Sequence, residues 1–221
     1  MKAGGVFYGL TQEEHELARS GACGKSRSLE AGEFLVREGD AKGCFYLVDS
    51  GGFKGTRQNL DGDVAMMEHF FEGETVGLDI VFTRSRRFPY DVQATRTSVV
   101  TPVDALAFTD GRLPEGLRGK LWQNILHELA NESVRKLYKI DVLYRRSLRA
   151  RIAVFLRHMH ERAEGTGFNI GMSREEFAQY LGVNRSALSH ELSLMKQDGL
   201  IEFRRAEFRV ADLGRLKAYI D

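Results

Sequence analysis

Met172–Lys196, MSREEFAQYLGVNRSALSHELSLMK, decides the fold of its domain because it combines a helix start signal, two amphipathic helical periods and a glycine turn. Ser173 and Glu176 have the spacing of a capping box, in which each side chain bonds the other residue's backbone N–H. Gly182 permits the positive φ of a sharp turn, and Asn184 can cap the next helix. The stretch predicts a helix-turn-helix.

The second helix of this stretch has two different faces. Leu188, Leu192 and Met195 recur at helical spacing and form an apolar stripe for a core. The other face carries hydrogen-bond donors and cations, which suit contacts with DNA. With the two helix caps, these are the predicted DNA-binding residues of the stretch: Ser173, Asn184, Arg185, Ser186, Ser189, His190 and Lys196.

A β-hairpin is predicted directly after the second helix. Gly199 ends that helix, and the apolar residues on either side of Arg204, Arg205 and Ala206 alternate like those of paired strands. Arg204 and Arg205 at the hairpin tip would contact phosphates beside the groove that the helix enters. A hairpin in this place is the wing of a winged helix-turn-helix.

The run NRSALSHELSLMKQDGLIEF, at 184–203, resembles the winged helix-turn-helix of the CRP/FNR family of bacterial transcription regulators. It is most similar to the branch that reads R-S/P-A-L-S-R-E-L-S, with His190 where that branch has arginine. The resemblance implies a homodimeric regulator that binds specific sites in double-stranded DNA, responds to a small-molecule effector and contacts RNA polymerase.

Composition excludes several other classes of protein. The 221 residues are 43% hydrophobic and 29% charged, which is typical of a soluble protein with one large or two small domains. There is no bilayer-spanning apolar run and no signal peptide, so a cytoplasmic location without membrane contact is expected. Cys23 and Cys44, with no CxxC, argue against a disulfide framework and a four-cysteine iron–sulfur cluster. No nucleophile elbow, P-loop or HExxH is present, so no enzyme is expected.

Charge is distributed unevenly along the chain. Residues 145–221 contain 14 Lys and Arg against 10 Asp and Glu, whereas residues 1–144 contain 18 against 21. A basic surplus on the helix-turn-helix half suits a protein in which only that end meets a polyanion.

The first half of the chain shows short strands separated by glycines. A helix is predicted over Leu10–Ala22, with Thr11 and Glu14 as its capping box. The strand segments are EFLVREGD, CFYLVDSGGFKG, NLDGDVAMMEHF with an Asp61-Gly62 turn, GETVGLDIVF and DVQATRTSVVTPVDALAF. Their spacing is typical of a jelly roll, and this half resembles the double-stranded β-roll of cyclic-nucleotide-binding domains.

We therefore predict an α+β protein with three segments. Residues 1–115 form an effector-sensing β-roll, a double-stranded β-helix; residues 116–146 form a long dimerisation helix and hinge; and residues 147–221 form the winged helix-turn-helix.

The resemblance places a phosphate-binding cassette in GETVGLDIVFTRSRRFPYDVQA, at 73–94. Where cyclic-nucleotide binders of this fold have Gly-Glu and Arg-Ser, this chain has Gly77-Leu78 and Phe88-Pro89. These side chains cannot accept a ribose hydroxyl or bind a phosphate, so cyclic AMP is not the expected effector. We expect a partly apolar effector with a negative group; the alternative is that Leu78 and Phe88 simply fill the roll. The candidate effector-binding residues, with two that the resemblance adds from the dimer helix, are Gly77, Leu78, Arg86, Arg87, Phe88, Tyr90, Lys136 and Leu137.

The segment 116–147 is predicted to be a helix of about eight turns. Its candidate dimer seam alternates spacings of 4 and 3: Trp122, Leu126, Leu129, Ser133, Lys136, Ile140 and Leu143. A second stripe is expected to cover the β-roll: Ile125, Val134, Leu137 and Tyr144. His158 and His160 of the following helix are expected to face solvent.

The residues leave a second function open, a haem- or small-ligand-binding sensor whose output is not DNA binding. His69, which shares a strand face with Met67, is the candidate haem ligand. No metal site is predicted, and the cofactor remains open.

Overall fold

The computed structural model describes residues 5–58, 64–163, 165 and 167–220. They form an α+β fold with the predicted order of β-roll, long helix and winged helix-turn-helix. Two compact units are present, one ending at Glu132 and the other beginning at Ser133. This division falls inside the long helix, which was predicted as a separate segment over residues 116–146.

The first unit opens with helix α1, Gln12–Ala22, which begins as predicted. Thr11 accepts a hydrogen bond from the Glu14 N–H, and the Glu14 carboxylate accepts one from the Thr11 N–H. Strands then follow: β1 (Arg27–Leu29), β2 (Phe34–Val36), β3 (Cys44–Ser50), β4 (Gly52–Gln58), β5 (Val64–Phe71), β6 (Thr75–Val76), β7 (Asp91–Ala94) and β8 (Ser98–Asp104). The predicted Asp61-Gly62 turn lies outside the described residues.

The strands pair in two antiparallel sheets, in the orders β1-β8-β3-β6 and β2-β7-β4-β5. Both sheets contribute to one apolar core, Val48 and Val100 from the first and Phe53 and Val92 from the second, all buried. Two sheets sharing a core, with neighbours distant in sequence, give the expected β-roll.

Most of one predicted strand is not extended. In GETVGLDIVF only Thr75–Val76 is extended, and helix α2 follows at Leu78–Val81. Gly77 has a φ of 78°, which turns the chain so that Leu78 is buried as the first residue of a helix. The expectation of a continuous strand is therefore wrong.

Helix α3, Glu115–Tyr144, confirms the predicted long helix. Its first turns bury Leu117, Leu121 and Ile125 in the core of the first unit. The Trp122 ring lies 5.2 Å from the Phe82 ring, and its indole N–H donates to the carbonyl of Phe108.

The second apolar stripe predicted on α3 does not cover the β-roll as expected. Ile125 is buried, but Val134 is 45%, Leu137 62% and Tyr144 83% exposed. Nine residues at about 100° each place Val134 on the opposite side of the helix from Ile125. The prediction grouped residues that do not share a face.

The second unit contains the last turns of α3 and the winged helix-turn-helix. Its further elements are α4 (Leu148–Arg162), β9 (Gly167–Asn169), α5 (Arg174–Leu181), α6 (Arg185–Gln197), β10 (Ile201–Arg204), β11 (Glu207–Val210) and α7 (Leu213–Lys217). The wing strands form an antiparallel sheet in the order β10-β11-β9. Phe155 of α4, Phe177 of α5 and Phe208 of the wing pack their rings together in its core.

His158 and His160 do not face solvent as expected. Both are half-buried, and the His158 side chain retains 12% exposure with its ring 4.4 Å from the Tyr138 ring. The last turns of α3 pack against α4, a contact that the spacing within α4 alone cannot show. Within the described residues, no helix combines the length and the apolar character needed to cross a membrane.

Candidate nucleic-acid interface

The two helices of the helix-turn-helix begin and end at the predicted residues. The Ser173 hydroxyl accepts from the Glu176 N–H at 3.2 Å, and the Glu176 carboxylate accepts from the Ser173 N–H at 2.7 Å. Gly182 ends α5 with a φ of 68°, and Asn184 Oδ1 accepts from the Ala187 N–H at 2.8 Å. These caps fix the start of α6 and the direction in which it leaves the turn.

Helix α6 has the two faces that the sequence predicts. Leu188, Leu192 and Met195 are fully buried, so this stripe anchors the helix to the domain core. The predicted DNA-binding residues of this stretch remain accessible, Ser189 half-buried and the others exposed: Asn184, Arg185, Ser186, Ser189, His190 and Lys196. Donors and a guanidinium at the solvent-facing start of a helix are what reading base edges requires.

The wing is a tight hairpin whose tip is an arginine. Arg204 pairs with Glu207 across the strands, so Arg205 and Ala206 form the turn. Arg205 has a φ of 55°, in the left-handed region that glycine favours. A positive φ is what a two-residue hairpin turn requires, and both wing arginines are exposed.

Arg174 is a further cation at the candidate interface, one that the sequence reasoning did not propose. Its guanidinium lies 5.0 Å over the Phe203 ring and 5.6 Å over the Phe208 ring, and it donates to the Arg205 carbonyl at 3.3 Å. Burial, and secondarily the charge of Arg185, lower the pKa of Arg174. A cation in the first turn of a helix opposes the helix dipole, and that mismatch was the available sequence signal.

Lys196 is held by the wing as well. Its ammonium lies 5.5 Å over the Phe203 ring. The end of α6 and the wing therefore share an aromatic contact that positions a positive charge between them.

A salt-bridge cluster on the far side of α6 fixes that helix to its domain. Arg149 of α4 bonds Glu191 of α6 and, at 2.7 Å, Asp198 at the end of α6. The Glu191 carboxylate, aided by Tyr219 and Asp198, raises the pKa of Arg149. These bonds hold α6 against α4.

Comparisons with known families agree with this geometry. Residues 150–219 match the Crp-like helix-turn-helix domain, and residues 26–110 match the cyclic nucleotide-binding domain. The chain belongs to the CRP/FNR family. Like its family, this CRP/FNR protein is a DNA-binding transcription regulator.

Similar curated proteins are also named as regulators. The transcriptional activator protein Anr of Pseudomonas aeruginosa is 29% identical over 195 residues, covering 85% of this chain and 77% of Anr. Electron transport regulator A of Shewanella oneidensis is 25% identical over 195 residues, covering 85% of this chain and 75% of the relative. The structure of FixK2 from Bradyrhizobium japonicum has the same fold, with a TM-score of 0.71 at 19% identity over 90% of this chain and 98% of FixK2.

In this CRP/FNR chain, aromatic rings pack tightly where the effector was expected. Gly77, Leu78, Phe88 and Tyr90 are all buried. A Cβ at Gly77 would lie 2.4 Å from Phe88, and one at Gly55 would lie 2.8 Å from the Tyr90 ring. The two rings therefore rest directly on two glycines.

Tyr90 is also tied to an acidic side chain. Its hydroxyl donates to Glu68 Oε2 at 3.2 Å. Burial is the main cause that raises the pKa of Tyr90, and the charge of Glu68 is the next. The interior of the roll at this point holds a neutral phenol beside a carboxylate, which is unfavourable for a phosphate.

The other candidate effector residues are exposed. Arg87 donates to the Gly39 carbonyl at 2.8 Å, and Arg86 has a φ of 50°, so the basic loop is held in a defined shape. Lys136 and Leu137 are exposed on α3, in the second unit.

His69, the candidate haem ligand, is half-buried with its ring 4.4 Å from the Phe71 ring. Among the described residues, no group of three or more His, Cys, Asp or Glu side chains is placed to hold a metal ion.

Proposed function

We propose that this regulator is a homodimer that binds palindromic DNA, controlled by an effector other than cyclic AMP. The observation that carries the proposal is the exposure of Arg185, Ser186 and His190 on α6, a helix whose end contacts the wing through Lys196 and Phe203. A helix of this kind enters the major groove with its first residues at the base edges.

The cations of the interface divide into two roles. Arg185 projects from the first turn of α6, and arginine is well suited to a bidentate contact with guanine. Arg174, Arg204 and Arg205 surround the wing tip, where they would bind phosphates and fix the register of the helix on the duplex.

The dimer is supported by the exposed members of the predicted seam of α3; two other members, Trp122 and Leu129, are partly buried against the core of the first unit instead. Leu126 is 62%, Ile140 61% and Leu143 39% exposed, although all three are apolar. Apolar residues at alternating spacings of 4 and 3 form a coiled-coil seam, and a second copy of α3 would bury them. Two copies of α6 then face two half-sites.

The remaining parts of the proposal concern effector, partner and location. The packing of Phe88 and Tyr90 on glycines closes the interior of the roll, which supports an effector whose negative group contacts the exposed basic loop at Arg86 and Arg87. RNA polymerase is the expected protein partner, and the cytoplasm is the expected location. We propose no catalytic activity.

The test compares a palindromic duplex with a duplex that carries one half-site. The half-sites are placed about 34 Å, one helical turn, apart. We expect the palindrome to bind far more tightly, as one dimer per duplex, in fluorescence anisotropy and sedimentation. Equal affinity for a single half-site, with one chain bound, would contradict the proposal.

A further inference from the structure

Arg151 of α4 connects two helix ends in the second unit. Its Nε donates to the carbonyl of Arg145 at 2.9 Å, and its Nη1 donates to the carbonyl of Leu181 at 2.9 Å. Arg145 directly follows the last residue of α3, and Leu181 is the last residue of α5. One half-buried guanidinium thus spans the end of α3 and the turn of the helix-turn-helix.

The two carbonyls are of the kind that needs an outside donor. The last carbonyls of a helix have no N–H partner within that helix, and the negative end of the helix dipole favours a cation there. At Gly182, which follows Leu181, a Cβ would lie 3.9 Å from Arg151 Nη1. The guanidinium therefore lies directly against the turn that leads into α6.

The α3 end of this connection is itself fixed. Arg145 donates to Asp141 through Nη2 and to the carbonyl of Ile220 through Nη1 at 2.8 Å. Val142 is buried, and the Lys139 ammonium lies 4.6 Å over the Tyr180 ring of α5. Through these contacts the last turns of α3 are fixed to α5 and to the turn that leads into α6.

This bracing matters because the seam residues Ile140 and Leu143 lie on the same turns of α3. In the proposed dimer, the direction of α6 relative to α3 sets the distance between the two reading helices. That distance has to match half-sites about one helical turn apart.

We propose that Arg151 is a positioning residue that sets the half-site spacing which the dimer accepts. The inference rests on the proposed dimeric function. Arg151 is not placed at the bases, so it would affect which spacing binds and leave the reading of each half-site unchanged.

The test uses Arg151→Lys, because lysine keeps the charge but presents one compact ammonium instead of a planar fork. The matched control is Arg215→Lys. Arg215 Nη1 also donates to a carbonyl at a helix end, that of Asp198 at 3.0 Å, but this bond joins α7 to α6 and does not involve α3.

Affinity is measured on palindromes with the optimal spacing and with one base pair more or less between the half-sites. We expect the wild type and Arg215→Lys to discriminate equally between these duplexes. In Arg151→Lys the discrimination should fall by about fivefold, the effect of losing one hydrogen bond between helix ends. The penalty for a base change within one half-site should remain that of the wild type.

The ratio of the affinities for two duplexes does not depend on the active fraction of protein, so a destabilised variant still gives a result. The variant Arg151→Gln provides an independent test. Unchanged discrimination in both variants, even with uniformly weaker binding, would overturn the inference and leave the dimer intact. A wild type that binds all spacings equally would instead overturn the dimeric proposal together with this inference.

Discussion

Arg185 should contribute mainly to the choice of sequence. It is exposed in the first turn of α6, where a recognition helix meets base edges. We expect Arg185→Ala to cost about 1 to 3 kcal/mol on the preferred site and much less on random DNA. Binding titrations on specific and scrambled duplexes measure both. Equal losses on the two duplexes would mean that Arg185 binds phosphates.

Arg204 and Arg205 should behave differently because they lie at the wing tip. If each binds a phosphate, replacing one by alanine weakens all sequences equally and lowers the salt slope by about one unit per subunit, about two per dimer. Arg209→Ala is the control, since Arg209 is exposed on the same wing but paired with Glu202 at 2.8 Å. Loss of sequence preference in Arg205→Ala, with the salt slope kept, would reverse the two roles.

Gly77 should not tolerate a side chain. Gly77→Ala forces alanine into a φ of 78° and places its Cβ 2.4 Å from the Phe88 ring. We expect a loss of about 2 kcal/mol or more in the free energy of unfolding, measured with urea through the single tryptophan, Trp122. Gly32→Ala is the control, since its φ is 89° but nothing lies within 4 Å of the added Cβ.

A double-mutant cycle separates the two causes. Phe88→Ala removes the ring, so Gly77→Ala should cost less in that background than in the wild type. Strictly additive costs would show that the ring does not rest on Gly77.

Local signals were readable in the sequence, and contacts between distant residues were not. The caps at Ser173 and Asn184 depend on neighbours within three residues, and the structure confirms both. The packing of Arg174 could not be predicted because its aromatic partners, Phe203 and Phe208, come about thirty residues later. The packing of Phe88 on Gly77 was left open as one of two alternatives for the same reason.

At the scale of elements, the apolar pattern of α3 located the helix but not all of its faces. Alternating spacings of 4 and 3 indicated a seam whose members Leu126 and Ile140 are exposed. The second stripe failed because Val134 and Ile125 are on opposite sides of the helix. The apolar pattern of α3 does not show which of its turns pack on α4, because that depends on tertiary contacts.

The junction of α3 and α4 should give the domain a pH dependence. The His158 ring packs on Tyr138, with Arg157 Nη2 at 3.0 Å and Asp141 Oδ2 at 3.7 Å; Glu161 and Arg145 act on it electrostatically. Burial, followed by the charge of Arg157, lowers the pKa of His158 below its ordinary value. The unfolded chain therefore takes up this proton first as the pH falls.

His158 accordingly destabilises the fold as the pH is lowered through about 6.5, until the folded protein is protonated as well. We expect the free energy of unfolding to rise more steeply with pH in this window for the wild type than for His158→Gln. Denaturation series at about pH 5, 6, 7 and 8 measure this difference between the two proteins. The contributions of the other histidines are the same in both and cancel. Parallel curves would show that His158 titrates alike in both states.

At the scale of the whole molecule, the order of β-roll, long helix and winged domain was predictable because each part has its own sequence pattern. The β-roll shows alternating residues and glycines, the long helix is a run free of proline, and the winged domain contains a capped pair of short helices. The effector was not predictable in the same way. It depends on how Phe88, Tyr90 and the basic loop pack around the roll, and the sequence shows only that the polar pair of a nucleotide binder is missing.

Cyclic AMP should therefore have no effect on the intact protein. Leu78 offers no acceptor for a ribose hydroxyl, the Phe88 ring lies against Gly77, and the Tyr90 hydroxyl is bonded to the Glu68 carboxylate. A nucleotide entering there would displace two buried rings and leave its phosphate beside a negative charge.

A ligand at one hundred times its Kd stabilises a folded protein by about 2.7 kcal/mol, which raises the Tm by several degrees. We expect cyclic AMP at about 1 mM to change neither the Tm nor the affinity for the palindromic duplex, because both depend on binding to the folded protein. Differential scanning fluorimetry and anisotropy provide the two measurements, with cyclic GMP as a matched nucleotide. A clear rise in Tm with cyclic AMP would mean that Phe88 and Tyr90 move aside and that the roll accepts a nucleotide after all.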